Sequence, residues 1–170
     1  MIPLIEIKDQ ELLEFNDLRE SELNFTDKRY FTNLKIVKAL VKVIKKVIGI
    51  SIDFNVQFTV ELTCARCLSN FRQKFNENLH LDYVAGKDPL LTMEKVELKR
   101  GDIDKVYYTG PNIDLSIGIR ETIVLAIPPV PLCKKECKGL CPVCGKNLND
   151  GTCNCKVSKS GLFTPRVKDV

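Results

Sequence analysis

The clearest pattern along the chain is an alternation of apolar and polar positions through residues 48–62. Isoleucine, phenylalanine, valine or leucine stands at every second position, and the positions between them carry glycine or polar residues. Because the side chains of an extended segment point alternately to opposite faces, this pattern predicts a β-strand with one buried face. The segment is long for one strand, so we expect it to be bent or bulged at Gly49.

Segments on both sides of this strand predict further β-structure. Residues 34–47 fit a helical stripe as well as a strand, but their many valines and isoleucines favour the strand. Partial alternation through residues 71–84 predicts another strand. Nearer the start, residues 2–7 predict a short strand, and residues 9–22 predict a helical turn or two.

The second half of the chain opens with a loop-rich connection, residues 85–110, in which we expect one short element near residues 94–99. Asp114 has the character of a helix N-cap, which predicts a helix through residues 114–127. Pro128 and Pro129 end this helix, because proline lacks the backbone N–H that a helix interior needs.

The eight cysteines fall into four closely spaced pairs. Two pairs are CxxC motifs, one after the long predicted strand and one followed by Gly145, as is typical of zinc knuckles. A CxxC turn directs two thiolates at one centre, and a structural zinc ion takes four ligands at tetrahedral corners. The pairs are Cys64 and Cys67, Cys133 and Cys137, Cys141 and Cys144, and Cys153 and Cys155.

The spacing of these pairs predicts two zinc quartets. The four cysteines nearest the end of the chain form one quartet, because only a short loop joins their two pairs. The other four form a quartet that closes a long loop and holds the C-terminal segment to the sheet. The only histidine, His80, is far in sequence from every pair, and we expect it to lie on the surface. We therefore expect all-cysteine coordination of one or two structural zinc ions.

Three other interpretations of the cysteines stay open. Disulfides are rare in a reducing cytosol, although hyperthermophiles are an exception. A redox-active CxxC at Cys64 and Cys67 would need a βαβ context, which the predicted elements lack. An iron–sulfur cluster also uses four cysteines. The close spacing of the CxxC pairs favours zinc over all three.

The predicted elements and the cysteine pattern together indicate an α+β fold, with a mainly antiparallel β-sheet, one or two helices and a C-terminal zinc-bound module. We expect a sheet-based domain in residues 1–132, which includes the helix at 114–127. A zinc-knuckle module in residues 133–157 would pack on it, followed by a tail in residues 158–170.

The formal net charge of +4 is unevenly distributed. Residues 1–27 carry a net charge of −6, and residues 134–170 carry a net charge of +5. Basic side chains near the cysteines can balance thiolate charge or contact the phosphates of RNA, and both interpretations stay open. These candidates for RNA binding are Arg66, Lys134, Lys135, Lys138 and Lys146.

The sequence offers no motif of a known catalytic centre. GxSxG, HExxH and P-loop motifs are absent, so we predict that the protein is not an enzyme. The start of the chain lacks a basic segment followed by an apolar run, and charged residues interrupt its most apolar region. We therefore expect a soluble cytoplasmic protein without a membrane span or secretory signal.

Two segments of the chain have a specific combination of motifs. The first is Cys-Ala-Arg-Cys-Leu at residues 64–68, with Phe71 shortly after. The second runs from Ile113 through the predicted helix and ends in the cysteine-rich stretch at residues 133–155. This combination resembles the YceD family, the large ribosomal RNA subunit accumulation proteins of bacteria and plastids. Thr164 stands where such proteins often carry an aspartate before Pro-Arg.

The resemblance implies a role in the synthesis, processing or accumulation of large-subunit (23S) ribosomal RNA, and hence in assembly of the large ribosomal subunit. It implies ribosomal RNA or a large-subunit precursor as the partner, and it supplies no catalytic residue. Two alternatives stay open. The first alternative is a zinc-stabilised adaptor that docks a ribosomal protein through its acidic N-terminal third. The second is a redox or metal-sensing switch at Cys64 and Cys67.

Overall fold

A computed structural model describes residues 2–3, 7, 9–23, 25, 31–89 and 100–155 of the chain. Its main feature is a five-stranded sheet with the strand order β2-β3-β4-β5-β6, accompanied by a two-stranded pairing of β1 with β7. The elements are β1 (Ile2–Pro3), β2 (Gln10–Asn16), β3 (Thr32–Lys45), β4 (Ile50–Thr63), β5 (Asn70–Ala85), β6 (Lys105–Tyr108), β7 (Asn112–Ile113) and α1 (Leu115–Ala126).

The fold class is α+β, as predicted. Strands β2 to β5 pair with their neighbours in antiparallel order, and α1 is the one α-helix among the described residues. The sheet is mixed rather than wholly antiparallel, because β6 joins β5 in parallel register. Within the described ranges, no helix has the length and apolar character needed to span a bilayer.

Strand β4 lies at the centre of the sheet and confirms the alternation in the sequence. Its apolar residues at even positions from Ile50 to Leu62 are all buried. The odd positions point to the opposite face, where most of them are partly or fully exposed. The segment 34–47 is also a strand, because β3 pairs with β4 over most of its length.

The expectation of a bulge at Gly49 is wrong. Gly49 lies in the turn between β3 and β4 with a φ of 81°, a conformation that favours glycine. Any side chain there would also collide with the carbonyl oxygen of Tyr83. The irregularities of register lie in β3 instead, between Thr32 and Lys35 and between Ile36 and Lys38.

The prediction of helical turns through residues 9–22 is also wrong for most of that segment. Residues 10–16 form β2, in which Leu13 and Phe15 pack against the core while Leu12, Glu14 and Asn16 are exposed. Pairing with β3 decides the structure here, since tertiary contacts override weak local preference. Only Glu20–Leu23 is helical, as a 3₁₀ turn.

Two further predictions lie partly outside the described residues. Strand β1 covers only Ile2–Pro3 of the segment predicted at 2–7, and residues 4–6 are not described. The short element expected near residues 94–99 lies outside the described residues. The connection at 85–110 nevertheless contains β6, which the sequence analysis did not predict.

Helix α1 begins and ends where the sequence predicts. The Asp114 side chain accepts a hydrogen bond of 3.0 Å from the backbone N–H of Ser116, which caps the first turn. The buried face of the helix, including Ile119 and Ile123, packs against β4 and β5. Gly118 lies against the ring of Phe54, where an added Cβ would overlap the ring. The helix therefore sits close to the sheet.

Helix α1 also directs the chain toward the cysteine-rich segment. After Ala126 the chain passes through three prolines, the last of which is Pro131, and reaches Cys133. The domain boundaries at 132/133 and 157/158 stay a prediction. Residues 156–170 lie outside the described part of the chain.

Candidate metal centre

The first cluster of thiols joins the connection between β4 and β5 to the segment that follows α1. Its members are Cys64, Cys67, Cys133 and Cys137, and their four sulfurs lie within 4.8 Å of one another. The Sγ atoms of Cys64 and Cys137 are 3.8 Å apart, and those of Cys67 and Cys133 are 3.6 Å apart. Cys64, Cys67 and Cys137 are buried. The cluster therefore closes the end of the sheet against the C-terminal segment.

Backbone hydrogen bonds fix the turn that presents Cys64 and Cys67. The N–H of Leu68 donates to the carbonyl of Cys64 at 2.9 Å, and the N–H of Cys64 donates to the carbonyl of Ser69 at 3.0 Å. The N–H of Ala65 donates to the carbonyl of Pro131 at 2.8 Å. This last bond brings the segment that carries Cys133 beside the turn.

The second cluster lies within the last part of the described chain. Its members are Cys141, Cys144, Cys153 and Cys155, with sulfurs again within 4.8 Å of one another. The N–H of Gly145 donates to the carbonyl of Cys141 at 2.9 Å, and Gly145 has a φ of 71°. A glycine at this point lets the chain turn sharply around the two sulfurs. The eight cysteines thus form the two groups that the spacing suggested.

The geometry of the first cluster fits a single tetrahedral ion, and the sulfurs of the second cluster lie within the same limit of 4.8 Å. With metal–sulfur bonds of about 2.3 Å, the sulfurs of a tetrahedral site lie about 3.8 Å apart. The sulfur separations of 3.6 and 3.8 Å in the first cluster are close to this value. A disulfide requires about 2.05 Å. All eight cysteines are free thiols, and the two clusters could hold metal ions.

The environment of the first cluster lowers the pKa of one thiol and raises the pKa of another. Burial raises the pKa of Cys64, but backbone N–H groups, including that of Cys133, outweigh burial and lower this pKa to about 6. Burial, followed by hydrogen bonding with Cys67, raises the pKa of Cys133 to about 12. Four thiols so close together cannot all ionise without a cation between them. A divalent ion between the sulfurs would offset part of this negative charge and so let all four thiols bind as thiolates.

The second cluster shows the same division. Hydrogen bonds from the backbone N–H groups of Cys144 and Val143 lower the pKa of Cys141 to about 6. Hydrogen bonding with the Cys144 thiol, together with burial, raises the pKa of Cys155 to about 12. Both clusters therefore combine donors that stabilise a thiolate with neighbours that oppose further ionisation. Four thiolates bound to one ion would fill its tetrahedral shell and leave no open position of the kind that a catalytic metal keeps.

The five basic candidates for RNA binding fall into two groups. Arg66 Nη1 donates to the carbonyl of Cys137 at 3.0 Å, and Lys146 Nζ donates to the carbonyl of Thr152 at 3.0 Å, so both hold the cysteine-rich segment together. The other three, Lys134, Lys135 and Lys138, lie beside the first cluster, and all five residues are exposed. RNA binding by any of the five stays a prediction.

The sequence analysis missed two asparagines beside the first cluster, one of which contacts a cysteine of it. Asn149 Nδ2 donates to Cys137 Sγ at 3.3 Å and lowers the pKa of that thiol, and Asn147 Nδ2 donates to Ser69 Oγ at 3.4 Å. Both asparagines come from the loop of the second cluster. Their position in the sequence could not reveal this role, because it depends on how that loop folds back.

His80 lies away from both clusters. Its ring is on the exposed face of the sheet, where Nδ1 lies 2.6 Å from Asp53 Oδ1 and Nε2 lies 3.3 Å from Ser51 Oγ. Both groups of potential ligands contain only cysteines, consistent with the expectation of all-cysteine coordination.

A comparison with protein families decides where the chain belongs. The family model described as "Large ribosomal RNA subunit accumulation protein YceD" matches residues 52–167, which is more than half of the chain. This chain belongs to the YceD family. The matched range includes most of β4, the whole of α1 and all eight cysteines. The family description names an accumulation role for large-subunit ribosomal RNA and does not name a reaction.

Two curated relatives carry the same description. The "Large ribosomal RNA subunit accumulation protein YCED homolog 1, chloroplastic" of Arabidopsis thaliana is 39% identical over 54 residues, which are 31% of this chain and 17% of that protein. Its counterpart in Zea mays is 41% identical over 56 residues, which are 31% of this chain and 19% of that protein. The matched segments thus span less than a fifth of either YceD homologue. No solved structure gives a significant match to this chain.

Proposed function

We propose that this protein is a zinc-stabilised, non-enzymatic factor of the cytoplasm that supports the accumulation of 23S ribosomal RNA during assembly of the large ribosomal subunit. The observation that carries the proposal is the pair of four-thiol clusters inside the range that matches the YceD family. Both clusters have the ligand number of a closed structural site, which favours a rigid binding module over a catalytic centre.

Zinc is the metal that fits these clusters best. Soft thiolate ligands at tetrahedral separations suit zinc. The sulfurs of each cluster lie too close together to be the ligands of an iron–sulfur cluster with several iron atoms. The burial of Cys64 and Cys67 also argues against a redox switch at this CxxC motif, because reactive thiols need access to solvent. Zinc in both clusters would fix residues 133–155 against the end of the sheet.

The RNA contact is assigned to the exposed lysines beside the first cluster, Lys134, Lys135 and Lys138. Lysines on a rigid module can contact phosphates without reading the base sequence. Arg66 and Lys146 are less suited to test this contact, because their side chains already bond to backbone carbonyls within the cysteine-rich segment.

Changing these three lysines to glutamate should weaken binding to large-subunit precursor RNA. Loss of three phosphate contacts is expected to reduce the slope of log affinity against log salt by about 2. Electrophoretic mobility shifts at increasing salt measure both quantities. The matched control changes Lys35, Lys45 and Lys74, which are exposed on the sheet, and should bind as the unchanged protein does. Equal binding by the lysine variant and the unchanged protein would remove the RNA contact from this surface.

Depletion of the protein from its host cell tests the wider proposal. We expect sucrose gradients to show accumulated large-subunit precursors and a reduced ratio of 23S to 16S ribosomal RNA. In-cell crosslinking separates an RNA contact from docking on a ribosomal protein. Crosslinks to protein alone would favour the adaptor, and an unchanged gradient after depletion would refute the assembly role.

A further inference from the structure

One side chain in the loop of the second cluster contacts a cysteine of the first cluster and the backbone next to that cysteine. Asn149 lies between Cys144 and Cys153 in the sequence, yet its Nδ2 donates to Cys137 Sγ at 3.3 Å. Its Oδ1 accepts a hydrogen bond of 3.0 Å from the backbone N–H of Lys138. The carboxamide therefore holds both a ligand atom of the first cluster and the backbone next to it.

The orientation of this carboxamide is fixed by its neighbours. The N–H of Lys138 can only donate, so it must face the oxygen of Asn149, and the amide nitrogen then faces the sulfur. Asn147 Oδ1 accepts hydrogen bonds from the Asn149 backbone N–H at 3.0 Å and from its Nδ2 at 2.8 Å. Both amide hydrogens of Asn149 are thus used, one of them on the sulfur.

The loop that carries Asn149 is docked along the first cluster by further bonds. Leu148 N–H donates to the carbonyl of Gly139 at 2.9 Å, and Asn147 Nδ2 donates to Ser69 Oγ at 3.4 Å. Gly139 has a φ of 73°, and a Cβ there would lie only 3.2 Å from the carbonyl oxygen of Arg66. The loop therefore packs on the segment after Cys137, and that segment packs on the CxxC turn.

These contacts connect the loop of the second cluster directly to a sulfur of the first. A hydrogen bond from a neighbouring side chain to a ligand atom orients that ligand and supports its bond to the metal. The loop that presents this donor is tied at its two ends to Cys144 and Cys153, which belong to the second cluster. A metal ion there would restrict the loop to the conformation in which Asn149 reaches Cys137.

We propose that Asn149 is a positioning residue that couples the two metal sites, so that filling the second site raises the affinity of the first. The inference rests on the proposed metal binding by both clusters. Because coupling between binding sites is reciprocal, filling the first site raises the affinity of the second by the same factor. The module would then take up its two ions cooperatively.

Cadmium is a suitable probe, since each occupied four-thiolate site gives its own cadmium NMR resonance. In competition with a chelator, Asn149→Ala is expected to weaken Cd²⁺ binding at the first site by about 10- to 100-fold, as for other residues that support a metal ligand. The first-site resonance should also move, because the hydrogen bond to its sulfur is lost. Asn149→Gln retains an amide donor and should restore part of the affinity.

The matched control is Asn154→Ala, an exposed asparagine between two cysteines of the second cluster. It should leave the affinity and the resonance of the first site unchanged. If Asn149→Ala does not fold, Asn149→Asp provides the second test, because it keeps the acceptor for Lys138 and loses the donor to Cys137. Its added charge beside the thiolate should weaken the first site at least as strongly.

A double-mutant cycle tests the coupling itself. Cys153→Ser with Cys155→Ser removes the second site and should lower the Cd²⁺ affinity of the first by about fivefold or more. In the Asn149→Ala background, the same two serines should have no further effect on the first site. Independent, multiplying effects of the two changes would overturn the inference, and so would an unchanged first site in Asn149→Ala. Absence of any Cd²⁺ binding by the unchanged protein would instead refute the proposed metal sites.

Discussion

Replacing Cys64 with serine is expected to remove one metal ion per chain and to lower the free energy of unfolding by about 3 kcal/mol or more. Cys64 is fully buried, and its sulfur lies 3.8 Å from that of Cys137, which is 73 residues further along the chain. Without this ligand the first cluster cannot close the loop between the end of β4 and the segment after α1. The change also leaves a hydroxyl among three thiols that have lost their cation.

Metal analysis and urea unfolding, followed by circular dichroism, measure the two effects of the serine variant. The matched control is Leu68→Asn in the same CxxC turn. Leu68 is 64% exposed and has a φ of 59°, a conformation that asparagine accepts readily. The control should retain both metal ions and the unfolding midpoint of the unchanged protein. Full metal content and an unchanged midpoint in the Cys64 variant would show that this cluster does not stabilise the fold.

Replacing Gly118 with valine is expected to lower the free energy of unfolding by roughly 3 kcal/mol, because the new side chain would enter the space of the Phe54 ring. That ring is buried in the central strand, where Phe54 pairs with Val41 on one side and Leu79 on the other. It therefore has little room to move, and α1 would have to lift away from the sheet.

Whether the free energy of unfolding falls or rises in this variant distinguishes an effect of packing from an effect of helix propensity. Glycine is less favourable than valine inside a helix by a few tenths of a kcal/mol, so propensity alone predicts a small gain in stability. Leu125→Val is the matched control, since Leu125 is 69% exposed on the same helix and should change stability by less than about 0.5 kcal/mol. Equal or higher stability of the Gly118 variant would contradict the close packing of α1 on β4.

The sequence predicts those parts of the fold in which local pattern and tertiary environment agree. Strand β4 has one face in the core along its whole length, so its alternation is complete. Strand β2 has seven residues, two of them glutamates, and its structure depends on pairing with β3, which no local pattern reveals. Strand β6 has only four residues and depends in the same way on β5.

The grouping of the cysteines could be predicted from the sequence, whereas the residues that support the clusters could not. Four pairs with short spacings leave few ways to build two tetrahedral sites, so the grouping of the thiols could be predicted from spacing. The contact of Asn149 with Cys137 depends on the path of a loop after it leaves the second cluster. The roles of Arg66 and Lys146 likewise depend on which carbonyl each long side chain reaches. Spacing gives no information about either.

The metal content of the chain, purified without chelators and measured by native mass spectrometry with elemental analysis, tests the central claim most directly. We expect two zinc ions per chain, one for each four-cysteine cluster. Stripping them with a chelator should lower the thermal unfolding temperature, and adding zinc should restore it. A well-folded chain with eight reactive thiols, no bound metal and an unfolding temperature indifferent to zinc would contradict the account.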